Sequence, residues 1–162
     1  MTKVELLHRI EEGRKKLNQA IEGLTPKEMI QERVNQEWTV KDILGHITSW
    51  EEEDRKVAER IAREENPKFD YGISPENDWR EWNREQVEKK RGYSLKRILK
   101  ELEGEHKKFM EMVRRLTEEQ LARNGICPWQ MESTVEELIR VTYVHDEEHA
   151  EKILEWRKRN RL

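Results

Sequence analysis

A chain of 162 residues is the size of one domain and long enough to bury a sizeable core. Its 32 basic and 35 acidic side chains leave it close to neutral, and charge of both signs in such density describes a solvated helical surface rather than a nucleic-acid face. The single cysteine, Cys127, excludes an internal disulfide, and no apolar run approaches the ~20 residues of a membrane span. A cytoplasmic setting is therefore expected, with no targeting segment and neither nucleic acid nor membrane as partner.

Residues 3 to 22 place Val4, Leu7, Ile10, Leu17 and Ile21 on one stripe of a first helix, which Gly23 ends. His8 lies off that stripe and reads as a surface residue. Thr25-Pro-Lys-Glu28 starts a short helical turn, because Thr caps and Pro suits the first helical position. Residues 33 to 37 connect it to a second long helix. Thr39 caps that helix, with Asp42 at its positive end, and it runs to about Glu64. Its buried positions are Val40, Ile43, Ile47, Trp50, Val57 and Ile61, with Leu44 and Ala58 in a second row. His46 borders this stripe. Gly45 beside it weakens the helix by about 1 kcal/mol relative to Ala, which a closely approaching neighbour would offset.

Asn66-Pro67 stops the second helix, and residues 67 to 75 with Gly72 are the most loop-like stretch, although Phe69, Tyr71 and Ile73 give it apolar content. A third helical region begins at residues 74 to 77, carries Trp79, Trp82 and Val87, and pauses at Gly92. Ser94 restarts it along a seam of Leu95, Leu99, Leu102, His106, Phe109, Val113 and Leu116, so His106 is expected to face the core. Residues 118 to 132, with Gly125, Cys127, Pro128 and Trp129, read as a loop. Ser133 and Thr134 then cap the last helix, with Glu136 and Glu137 placed for a capping box. Its seam is Val135, Leu138, Thr142, His145, His149, Ile153 and Trp156, and Arg157, Lys158, Arg159 and Arg161 complement its negative end. No strand pattern, repeat or low-complexity segment is visible. The fold expected is all-α: a single four-helix bundle spanning 1–162, with a long loop between the second and third helices. Which helices are neighbours stays open.

His145 and His149 lie four residues apart on one helix face and can close on one metal ion. The pair alone is a weak signal, and His46 is the candidate third ligand. Three neutral imidazoles suit zinc, nickel, copper or ferrous iron and leave a coordination position for water or a thiolate. Binding of this kind weakens below about pH 6, where imidazole protonates. Two other arrangements fit the same residues. A closed structural site would recruit Cys127 or His106 as a fourth ligand, and hydrogen-bonded core histidines would need no metal. Cys127 itself reads as a small buried hydrophobe.

The stretch Trp38-Thr-Val-Lys-Asp-Ile-Leu-Gly-His46-Ile-Thr-Ser-Trp50-Glu, followed by Thr134-Val-Glu-Glu-Leu and His145-x-x-x-His149, resembles the DinB-like family, which includes bacillithiol- and mycothiol-dependent transferases. The likeness extends over nearly the whole chain, and Asn77-Asp-Trp-Arg-Glu-Trp-Asn83 is similar to a stretch in some branches. The resemblance implies a four-helix bundle whose His46, His145 and His149 bind one divalent metal. Zinc or nickel leads the candidates, with iron, manganese or copper behind. It further implies a homodimeric, metal-dependent enzyme that transfers a low-molecular-weight thiol to a small electrophilic molecule, or hydrolyses one. Glu53, two turns after His46, is then the candidate catalytic base or outer-shell partner; otherwise it is a solvated member of the acidic run 51–53. Trp50, Trp79, Trp82, Trp129 and Tyr143 wall a pocket or fill the core. Two other functions suit the same sequence: a non-catalytic metal- or ligand-binding bundle, and a partner-binding helical module.

Overall fold

The computed structural model describes residues 1–65, 79–129 and 131–162. In chain order its helices are α1 (Lys3–Ile21), α2 (Pro26–Gln31), α3 (Val40–Ala62), α4 (Arg80–Lys90), α5 (Leu95–Arg115), α6 (Glu118–Leu121) and α7 (Val135–Asn160). The expected loop at 67–75 and helix start at 74–77 lie outside the described residues.

Each long helix begins on a hydroxyl. Thr2, Thr39, Ser94 and Thr134 each accept a hydrogen bond from the backbone N–H three residues on, satisfying a donor that the helix cannot pair itself. Reciprocal boxes form at Thr2 with Glu5, Thr25 with Glu28 and Thr39 with Asp42. At α7 the Glu137 side chain grips Arg140.

The stretch read as a loop, 118 to 132, holds α6 and a small antiparallel ribbon of β1 (Asn124–Ile126) and β2 (Glu132–Thr134), with Gly125 opposite Ser133. Three-residue strands are too short to leave an alternating pattern. The ribbon presses on α3 through Gly125, where a Cβ would lie 2.6 Å from Cγ1 of Ile61.

Around the bundle, α1 packs on α7 and α5, and α3 packs on α5 and α7. The second and fourth long helices, α3 and α7, are therefore side by side, while the consecutive α1 and α3 sit on a diagonal. Directions follow from paired residues. The terminal ammonium of Met1 meets Glu136 and Arg157 reaches Ala20, so α1 and α7 run parallel. His46 meets His145 and Asp54 meets Thr142, so α3 and α7 are antiparallel. A Cβ on Gly13 would stand 3.0 Å from the Tyr143 carbonyl oxygen, which is how closely α1 approaches α7. Gly45 has the close neighbours expected of it: Lys90 and Ile98 flank it, and Lys90 Nζ donates to its carbonyl at 3.3 Å.

Two apolar clusters fill the interior, one around Leu6, Ile61, Phe109 and Leu138, the other around Leu17, Ile43, Leu44 and Trp156. Buried Arg14, Glu51 and Asp146 fall between them along α1, α3 and α7. This polar layer rotates two of the expected stripes. On α1 the buried residues are Leu6, Ile10, Gly13, Arg14, Leu17 and Ala20, and Val4 is 77% exposed. On α5 they are Ile98, Leu102, Glu105, Phe109, Met110, Met112 and Val113, which leaves Leu95, Leu99 and His106 on the half-buried border. Charged Arg14 and Glu105 take inward positions because each finds an internal partner, Glu51 and Asp146 for the first and Arg55 for the second.

Candidate metal centre

The cap at Thr39 sets the register of α3, and His46, Trp50 and Asp54 follow at steps of four along one ridge. Antiparallel to it, α7 presents Val141, His145 and His149, also at steps of four. Where the ridges meet, Nε2 of His145 lies 3.0 Å from Nε2 of His46 and 3.0 Å from Nε2 of His149. One ligand atom from each histidine falls within 4.8 Å of the other two. Two nitrogens each about 2.1 Å from a tetrahedral zinc ion would stand about 3.4 Å apart, so the two 3.0 Å sides must open slightly, and the third separation, which lies within 4.8 Å, must adjust to hold one.

The protonation states suit metal binding, although Lys152 acts on all three rings as a nearby positive charge. His46 is 4% exposed, packed against the Trp38 ring at 4.7 Å between centroids, while His145 and His149 are half-buried. Burial holds His46 well below the usual imidazole range, with the neighbouring imidazoles adding to the effect. Burial also brings His145 down to about 4 and His149 to about 3, helped by Lys152 in both cases and by His145 in the second. All three rings are therefore neutral bases at neutral pH, the state that binds metal. Nδ1 of His46 and of His149 has no hydrogen-bond partner among the described residues, so no protein acceptor or donor opposes the tautomer that turns Nε2 inward.

The two candidate fourth ligands are elsewhere. Cys127 is fully buried, its thiol pushed up to about 11 by burial, and it stands outside the histidine cluster as a small hydrophobe. His106 faces the far side of α3, with Nδ1 3.6 Å from Glu51 Oε2. Among the described residues the cluster has three protein ligands.

A cavity of about 270 Å³ opens beside His46 and His145, and Trp50, Trp79, Trp129, Val141, Asn83 and Asp54 complete its lining. Trp50 anchors the wall: its Nε1 donates to Asn83 Oδ1 at 2.7 Å, and its ring packs on Trp79 at 5.0 Å and on buried Trp82 at 4.3 Å. Trp79 has a left-handed backbone (φ 67°), which is strained for a bulky residue. Tyr143 is not part of this wall. It is buried against α1, with the Arg9 guanidinium 5.1 Å from its ring centroid.

Glu53 is half-buried and does not line the cavity, whereas its neighbour Asp54 does. The ridge that meets α7 steps by four from His46 through Trp50 to Asp54; a step of seven, which leads to Glu53, follows a different ridge. Asp54 is 3% exposed, its Oδ2 accepts from Thr142 Oγ1 at 3.0 Å, and burial raises its carboxyl well above the usual range.

The DinB superfamily model matches residues 9–153. The chain belongs to the DinB superfamily. Solved structures with this fold include a mycothiol-dependent maleylpyruvate isomerase, 12% identical, with a TM-score of 0.79 over 94% of this chain and 61% of that one. The DinB-superfamily chain thus spans less than two thirds of that enzyme's length. YfiT from Bacillus subtilis, described as a probable metal-dependent hydrolase with an unusual four-helix bundle topology, is 22% identical, with a TM-score of 0.75 over 97% of this chain and 86% of its own. The colibactin self-resistance protein ClbS, solved with double-stranded DNA, is 15% identical, with a TM-score of 0.79 over 96% of this chain and 95% of its own. At these identities the likeness establishes the four-helix DinB fold. No curated protein matches the chain.

A second buried polar cluster of this DinB fold escaped the reading of the sequence. Arg14 donates from Nε to Asp146 Oδ2 at 3.0 Å, from Nη2 to Glu51 Oε2 at 2.8 Å and from Nη1 to the Leu102 carbonyl at 3.1 Å. Burial still lifts Asp146 to about 6 against the pull of Arg14. Arg14 carried a usable signal, four residues from Ile10 and three from Leu17 and therefore on the buried face, but its charge and the neighbouring Lys15 and Lys16 pointed to solvent.

Proposed function

We propose that this DinB-superfamily protein is a metal-dependent enzyme that joins a low-molecular-weight thiol, or water, to a small electrophile, with one divalent ion held by His46, His145 and His149. The observation that carries the reading is the convergence of three neutral Nε2 atoms at the edge of a tryptophan-walled cavity. Three protein ligands leave a position for a reactant, and zinc or nickel suits the nitrogen donors best. Such an ion, when bound, lowers the pKa of a thiol or water and fixes its direction. The chain's own residues do the rest. Trp50, Trp79 and Trp129 offer apolar surface that excludes water from the electrophile, and Asn83, held by Trp50, fixes one edge of that surface.

A small molecule suits this cavity, and the chain as a whole, with 35 acidic and 32 basic side chains, has no net positive charge to draw nucleic acid. No described helix is long and apolar enough to cross a membrane. The homodimer and the cytoplasmic setting are part of the same reading; sedimentation of the purified protein checks the first, and fractionation of the cells that make it checks the second.

Elemental analysis of purified protein tests the centre. Close to one divalent ion per chain is expected, and a chain that stays metal-free after zinc and nickel reconstitution would overturn the reading. A screen of thiols and of water against epoxides, activated esters and halides then tests turnover. Tight metal binding without turnover of any of them would favour a non-catalytic metal-binding bundle.

A further inference from the structure

We infer that Asn83 selects the substrate: the cavity takes an apolar, ring-sized electrophile that carries a hydrogen-bond acceptor oxygen, and the Asn83 amide donates to that oxygen from Nδ2. This rests on the small-molecule reading above and adds a substrate class to it.

The contact of α4 with α3 fixes the direction of the amide. Trp79 and Asn83 stand one turn apart, joined by a hydrogen bond from the Asn83 backbone N–H to the Trp79 carbonyl at 2.9 Å, and both line the cavity together with Trp50 of α3. An indole nitrogen only donates, so the atom 2.7 Å from Trp50 Nε1 is the Asn83 oxygen, and the NH2 group is turned away from Trp50. That NH2 has no hydrogen-bond partner among the described residues and is not sealed from solvent. It is left to serve the space that Asn83 lines.

The other walls define what such a molecule looks like. Trp50, Trp79, Trp129 and Val141 enclose about 270 Å³, room for a ring with a short substituent, and indole faces stack on rings. Asp54 also lines the cavity, but the Thr142 hydroxyl occupies its Oδ2 and its Oδ1 is closed in, so neither oxygen is presented to a ligand. Asn83 borders a wider groove as well, with Asn35, Gln36 and Arg84, so the oxygen of the molecule lies toward this polar mouth and its ring toward the tryptophans. Indole walls also attract cations, but here Lys152 and an ion at the three histidines would repel one.

The test titrates zinc-loaded and metal-free protein with acetophenone and with α-methylstyrene, which has the same shape but a CH2 in place of the oxygen. Binding is followed by nitrogen-15 NMR of the indole and side-chain amide signals. In the wild type the Asn83 NH2 signal is expected to move with acetophenone and to stay in place with α-methylstyrene. Asn83→Asp keeps an oxygen for Trp50 and removes both donors. It is expected to weaken acetophenone by about 10-fold or more and α-methylstyrene by less than about 2-fold. An equal loss of both ligands would make Asn83 a prop of the tryptophan wall and overturn the proposal. So would an unmoved NH2 signal, no binding of either ligand to the wild type at millimolar concentration, or tighter binding of benzylammonium than of acetophenone. Failure of the metal reading is distinguishable: oxygen-selective binding by a chain that takes up no zinc would remove the centre and leave the role of Asn83 standing.

Discussion

His145 and Asp146 are adjacent in sequence and belong to two buried polar clusters of opposite character. Asp146 turns to α1, where Arg14 bonds it together with Glu51 and the Leu102 carbonyl, so a buried cation meets two carboxylates and a backbone oxygen. His145 turns to α3, where its Nε2 stands 3.0 Å from two other imidazole nitrogens and no carboxylate belongs to the group. The first cluster contains its own cation and the second presents bases to a common point. Buried polar atoms alone do not mark a ligand site; an excess of one kind of them does.

The largest expected effect comes from removing that internal cation. Arg14→Met leaves Glu51 and Asp146 buried against an apolar side chain and should destabilise the protein by about 3–5 kcal/mol in urea unfolding. The folded fraction should still bind metal, and a change below ~1 kcal/mol would mean that the cluster holds nothing together.

On the other side of α7, His149→Ala should weaken metal binding by at least ~100-fold, beyond what loss of an outer-shell partner causes, as read by competition with a chelator. Full affinity in this variant would remove His149 from the site. Together the two variants sharpen the contrast: one loses stability and keeps metal, the other loses metal.

Proton competition gives a smaller effect with a defined sign. Folded-state values of about 4 for His145 and about 3 for His149 lie below the ~6.5 of an imidazole in the unfolded chain. As pH falls, the unfolded chain takes up protons first, so the metal-free protein should lose stability from about pH 6.5 downward. Metal, by the same shifts, should stay bound at pH 5.5 and leave toward pH 4, lower than the pH 6 expected of ordinary imidazoles. Release centred at pH 6 would show that burial does not depress these rings. The smallest effect should be that of His106→Leu, which borders Glu51 and not the triad; metal content should not change.

The site was legible where a local rule carried it. A pair at four-residue spacing must share a helix face, and Thr39 with Asp42 fixes where α3 starts, so His46, His145 and His149 could be named from spacing, caps and family resemblance. Glu53 and Asp54 show where such rules stop. Steps of four and of seven from His46 both stay near one face, and the α3/α7 contact alone selects the ridge that carries Asp54. The rotated stripes of α1 and α5 have the same origin, since Arg14 and Glu105 are buried by partners that are 37 to 132 residues away.

Sequence by itself determined the four long helices, their hydroxyl-capped starts, the four-helix DinB fold and the three-histidine cluster, because caps and hydrophobic periods act over one or two turns. Tertiary structure alone decided that α3 lies beside α7 and diagonal to α1, that Asp146 answers to Arg14, and that Asp54 faces the cavity. These depend on which faces meet across the bundle, and the packing of long helices sets that through contacts no local pattern encodes.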